Sequence, residues 1–152
     1  MGRAGAIAAC ALAASLAACG SPSKEEWVAQ MDGVCQTRNR QLDSSGFTPQ
    51  TTSSFSGTGP AEDAARAVES ANSRMAKLKP PEEVKSQGEL YLGQMQRVPA
   101  AINDVASNAK ADDQRAQKAA SADLRGVTNE SERLAGEAGL KSCSEPTPTL
   151  SR

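Results

Sequence analysis

Along this chain apolar residues recur at helical spacing in four segments, and no stretch alternates with the period of two that a strand needs. The first segment opens at Ser23-Lys24-Glu25-Glu26, a serine with a glutamate three residues later, and Pro22 stands just before it; this pattern starts a helix by pairing orphan backbone donors with side-chain acceptors. Trp27, Met31, Val34 with Cys35, and Leu42 then form one apolar stripe. The stripe fades at Asp43, and 43–59 is rich in Ser, Thr and Gly, with Phe47 and Phe55 as its large apolar residues. That composition predicts a linker.

A second helix is expected from Gly59-Pro60, with Ala61, Ala64 and Ala65, Val68, Ala71 or Asn72, Met75 and Leu78 inward. Lys79-Pro80-Pro81-Glu82-Glu83 breaks it and starts the next. In the third segment Val84, Gly88, Tyr91, Met95, Val98, Ile102, Val105 and Ala109 alternate steps of four and three, the seam of helices that pack at shallow angles. Pro99 lies inside this seam, where it removes the hydrogen bond to the Met95 carbonyl and should bend the helix; the freed carbonyl either faces a ligand or merely marks a bend. Asp112 and Asp113 are candidate N-caps for a fourth helix carrying Ala116, Ala120, Leu124, Val127, Ser131, Leu134 and Ala138, which Gly139-Leu140 should terminate. Residues 144–152 read as a disordered tail. The expectation is an all-α protein, an up-and-down four-helix bundle over 24–143 in which the first and last helices are antiparallel neighbours.

One apolar run stands outside this pattern. From Ala4 to Ala18 no residue is charged, but about 15 residues are too few to cross a bilayer, which takes about 20. Arg3 ahead of the run and small residues at its end suit an export signal. Leu16-Ala17-Ala18-Cys19, an aliphatic residue, two small residues and a cysteine, resembles the lipobox of bacterial lipoproteins. The resemblance implies that residues 1–18 are a signal peptide that is removed, that Cys19 carries a diacylglyceryl group with acyl chains such as palmitate, and that 19–23 are a short tether. It implies a lipid-anchored protein on the extracytoplasmic face of the cell membrane. An ordinary secretory signal that happens to contain a cysteine is the alternative.

The four cysteines divide accordingly. Cys10 leaves with the signal and Cys19 becomes the lipid carrier, so Cys35 and Cys143 remain as one candidate disulfide in an oxidising compartment, with intermolecular pairing as the other outcome. Val34-Cys35 with Asn39, Leu78-Lys79-Pro80-Pro81-Glu82, and Gly139-Leu140-Lys141-Ser142-Cys143 together resemble small exported helical proteins of actinobacteria, many of them lipoproteins, built on a disulfide-closed bundle. That family implies no established activity, and the Ser/Thr/Gly insertion after Asp43 departs from its compact first turn.

Composition narrows the function classes. Loss of residues 1–18 takes away Arg3 and moves the formal charge from −1 to −2, which leaves no basic surplus to hold nucleic acid. Aromatic residues are 3% of the chain, so the core is thin and a disulfide staple is worth having. The sequence contains no histidine, which removes the commonest general base and zinc ligand. No Gly-x-Ser-x-Gly pattern arranges a serine as nucleophile, and the acidic pairs Glu25-Glu26, Glu82-Glu83 and Asp112-Asp113 each fall at a helix start, where the dipole explains them. No cofactor or metal site is therefore expected, and no catalytic residue. Asn39 is a candidate polar contact in the core, and Trp27 either meets the headgroups or closes the lower end of the bundle. Two readings follow: a non-enzymatic interaction or scaffold module of the cell envelope, with an envelope protein as partner, and a binding module for a small apolar ligand or lipid.

Overall fold

In a computed structural model of the chain, residues 22–47, 59–111 and 113–146 are described. They form helices α1 (Lys24–Ser45), α2 (Gly59–Met75), α3 (Lys85–Met95, entered through a 3₁₀ turn at Glu82–Val84), α4 (Val98–Lys110) and α5 (Gln114–Glu137), then a single helical turn, α6 (Lys141–Ser144). Among the described residues there is no strand, so the all-α class stands. Cys35 and Cys143 meet at disulfide-bonding distance, with Cα atoms 5.2 Å apart.

Helix α1 starts where the capping pattern puts it. Ser23 Oγ accepts from the Glu26 amide at 3.2 Å, and the Glu26 carboxylate accepts from the Ser23 amide at 3.1 Å; such a cap contributes about 1 kcal/mol. The helix continues to Ser45, past the Asp43 at which the apolar stripe fades, and ends on Gly46 in the left-handed region. Phe47 then turns back into the core at 1% exposure, its amide donating to Ser45 Oγ. Residues 43–47 of the expected linker therefore belong to the end of α1 and its cap, and 48–58 lie outside the described residues. Phe55 lies outside the described residues.

The alanine-rich face of α2, from Ala61 to Ala71, packs against α1 and α4. The seam Val84, Gly88, Tyr91, Met95, Val98, Ile102 and Val105 is buried throughout, but it runs over two helices. The expected single helix with a bend is corrected to a break at Gln96-Arg97, with Pro99 in the first turn of α4. Pro99 offers no N–H to the Met95 carbonyl, and the Asn72 side chain supplies one from α2 at 2.8 Å.

Asp113 Oδ1 caps α5 through the Ala116 amide at 2.9 Å; Asp112 lies outside the described residues. At the other end Gly139 (φ 82°) lets its own amide reach the Gly136 carbonyl and the Leu140 amide reach the Ala135 carbonyl, the paired bonds of a Schellman stop. Leu140 is fully buried. The chain then makes the α6 turn, and it is α6 that brings the C-terminal cysteine onto α1, while α5 packs on α3, α4 and α6.

At the lower end Trp27 is buried at 1% exposure and donates from Nε1 to the Leu78 carbonyl at 3.1 Å. It lies beside Gly88, where a Cβ would sit 2.8 Å from Pro80 Cβ and 3.3 Å from Trp27 Cη2. Glycine at 88 is what lets α3 approach the Pro80 ring. No helix among the described residues is long and apolar enough to cross a membrane.

Candidate functional site

The most polar part of the interior lies beside the disulfide. Arg38 falls on the inner face of α1, between Cys35 and Leu42, and is 5% exposed. Burying a guanidinium is costly unless its donors are engaged. Nε and Nη2 donate to Asn39 Oδ1 at 3.0 and 2.8 Å, while Nη1 reaches Tyr91 Oη at 3.4 Å and Met95 Sδ at 3.5 Å. Among the described residues no carboxylate comes within the 4.0 Å of an ion pair to Arg38.

Tyr91 projects from α3 into the same space and is fully buried. Its hydroxyl lies 3.4 Å from Cys35 Sγ and 3.8 Å from Met75 Sδ. Burial raises the Tyr91 pKa above its ordinary value, against the opposing pull of Arg38, so the phenol keeps its proton. A sulfur in a disulfide has no proton to give, so the single Tyr91 proton is the donor available to Cys35 Sγ, and Met75 Sδ shares it. The result is a chain of donors, Arg38 to Tyr91 to sulfur.

On the far side of the bridge one residue of α6 is read by three residues of α1. Asp32, Gln36 and Asn39 are spaced to share a helix face. Asp32 Oδ1 accepts from the Ser142 amide at 2.9 Å, Gln36 Nε2 donates to Ser142 Oγ at 3.1 Å, and Asn39 Nδ2 donates to the Ser142 carbonyl at 3.1 Å. The backbone donor and acceptor of Ser142, and its hydroxyl, are all engaged. α6 is docked by this clamp and by Leu140 as well as by the disulfide.

A cavity of about 20 Å³ adjoins the cluster, lined by Arg38, Leu42, Thr128, Ser131, Glu132 and Cys143 among others. It is the size of a single water, which needs about 10–15 Å³. The Thr128 and Ser131 hydroxyls donate to the carbonyls of their own helix at Leu124 and Val127. On the outside, an open groove between α1 and α2 is bordered by Gln41, Ser44, Asp63 and Arg66, and α3 exposes Leu90 beside Gly93. Neither gathers groups that could perform chemistry.

Of the residues singled out in the sequence, Cys35 and Cys143 come together, at 0% and 2% exposure. Asn39 fixes the contact between α1 and α6, and Trp27 closes the lower end of the core. The acidic pairs do not converge: Glu26 caps α1, Glu82 pairs with Lys85, and Asp113 caps α5. Cys19 and the whole lipobox lie outside the described residues. Sequence reasoning missed Arg38, Tyr91 as a donor, and the Asp32–Gln36–Ser142 contacts. The signal for Arg38 was the empty helical position between Cys35 and Leu42 in the stripe. Comparison with family models, with curated proteins and with solved structures finds no match for the chain.

Proposed function

We propose that this chain is a bacterial lipoprotein, anchored to the extracytoplasmic face of the cell membrane through lipid on Cys19, whose helical body is a non-enzymatic interaction or scaffold module of the envelope. The arrangement we propose for that body is an up-and-down four-helix bundle in which α3 and α4 together make the third member. The observation that carries the reading is the division of the cysteines. Cys35 and Cys143 lie at bonding distance from one another, which leaves Cys19, in the lipobox Leu16-Ala17-Ala18-Cys19, without a partner within the body. The capped start of α1 at Ser23, four residues later, supports a short tether that holds the body close to the bilayer.

The apolar-ligand reading draws less support. Ligand pockets occupy about 300–1,000 Å³, and the cavity beside the cluster is about 20 Å³; the Met95 carbonyl accepts from the Asn72 side chain. Crosslinking in intact cells followed by solubilisation and affinity capture tests the scaffold reading. A specific envelope protein crosslinked to the body is the expected result, and a body that crosslinks to nothing but lipid contradicts it.

A further inference from the structure

The two sulfurs of the bridge have unlike surroundings. Cys35 Sγ faces a hydrogen-bond donor, the Tyr91 hydroxyl at 3.4 Å, which itself accepts from the guanidinium of Arg38. Cys143 Sγ faces an acceptor, the Met31 carbonyl oxygen at 3.8 Å. Donors and a nearby cation stabilise a thiolate, whereas a carbonyl oxygen repels one and favours the protonated thiol. Arg38 has no carboxylate within ion-pair distance among the described residues, so a thiolate at Cys35 would be the anion beside it. Among the described residues Asp32, which raises the Tyr91 pKa, and Glu132 across the small cavity are further ionisable groups near the pair.

We propose that the bridge is a polarised thiol-exchange site: an external thiol or dithiol protein attacks Cys143, and Cys35 is always the leaving thiolate. The incoming thiolate forms a bond to Cys143 Sγ, the Cys35–Cys143 bond breaks, and its electron pair departs on Cys35 Sγ, toward the Tyr91 proton. A second external thiolate then attacks the partner's sulfur in the mixed disulfide, releasing an external disulfide, and Cys143 takes up a proton facing Met31. In the closing direction Cys143 gives up its thiol proton and attacks a disulfide-bearing oxidant, whose first sulfur leaves as thiolate; the Cys35 thiolate then attacks Cys143 Sγ in the mixed disulfide and displaces the oxidant's second sulfur as thiolate. A leaving thiol of lower pKa departs faster, which gives the polarity its kinetic effect.

Placement supports the same direction. Cys143 rides on a four-residue turn that follows the left-handed Gly139, while Cys35 sits in the middle of a 22-residue helix. Lifting α6 exposes Cys143 without disturbing α1. The Asp32, Gln36 and Asn39 contacts to Ser142 return α6 to its seat once the exchange is over. None of this depends on the lipid anchor.

The test uses the full native chain with its bridge intact. The protein is exposed to excess glutathione, quenched with acid, alkylated at free thiols and mapped by peptide mass spectrometry. Glutathione on Cys143 with alkylated Cys35 is the expected product; glutathione on Cys35, equal labelling of both, or no mixed disulfide without denaturant overturns the proposal. Tyr91→Phe supplies an independent readout, since loss of the donor should slow reduction about fivefold, whereas a tyrosine serving only to pack the core would speed reduction when removed. A Tyr91→Phe variant that fails to fold leaves the wild-type mapping to decide.

Discussion

Asn39 joins two elements through one side chain: its amide nitrogen donates to the Ser142 carbonyl at 3.1 Å, and its oxygen accepts both Nε and Nη2 of Arg38, the latter at 2.8 Å. Removing it orphans two donors of a buried cation and frees one side of the α6 turn. Asn39→Leu should therefore cost about 2–3 kcal/mol, measured as a drop in the urea midpoint. A loss under half a kcal/mol would mean that water replaces the amide on Arg38.

The bridge closes a loop over a sequence separation of 108 residues. Chain-entropy reasoning gives about 4–5 kcal/mol for a loop of that length, a large share of a small domain's stability. The double variant Cys35→Ala, Cys143→Ala should melt well below the wild type by calorimetry. Because the Ser142 contacts and Leu140 do not need the sulfurs, hydrogen exchange should still show α6 protected at low temperature.

Two glycines on helices should respond in opposite ways. At Gly88 a Cβ would collide with the rigid Pro80 ring at 2.8 Å and touch Trp27, so Gly88→Ala should destabilise by about 1–3 kcal/mol. At the exposed Gly33 nothing lies within 4 Å of a new Cβ, and Gly33→Ala should stabilise by about 0.5–1 kcal/mol through helix propensity. Paired thermal melts check both signs.

Tyr91 sets a limit at high pH. Its folded pKa is raised above the ordinary value of 10.0, chiefly by burial. The folded state thus holds the phenolic proton more tightly than the unfolded chain does. Its contribution is complete below about pH 10 and is lost as pH rises through the unfolded value toward the folded one. Denaturant midpoints should fall above pH 10 in the wild type, and the fall should be shallower in Tyr91→Phe.

The local signals that the chain carries about itself were legible because each is a short-range contact. Ser23 with Glu26, Asp113, and Gly139 with Leu140 place helix ends through bonds a few residues long. The seam from Val84 to Val105 is likewise readable because helical periodicity reports burial. Its interruption was not, because Pro99 permits either a bend or a break, and the choice depends on Asn72, a residue of another helix that accepts the role of donor to Met95. Arg38 was hidden for a similar reason. A charged residue reads as exposed unless its partners are known, and these come from α1 itself and from α3, 53 residues away at Tyr91. The α6 turn escaped notice because four residues carry no periodicity.

The central claim, a lipid-anchored body closed by its own disulfide, is tested most directly by the intact mass of the native protein extracted from its membrane, before and after reduction. The account predicts a chain beginning at Cys19 that carries a diacylglyceryl group and gains the mass of two hydrogens on reduction. A chain with an unmodified Cys19, or one whose mass does not change on reduction because Cys35 and Cys143 are free thiols, would contradict it.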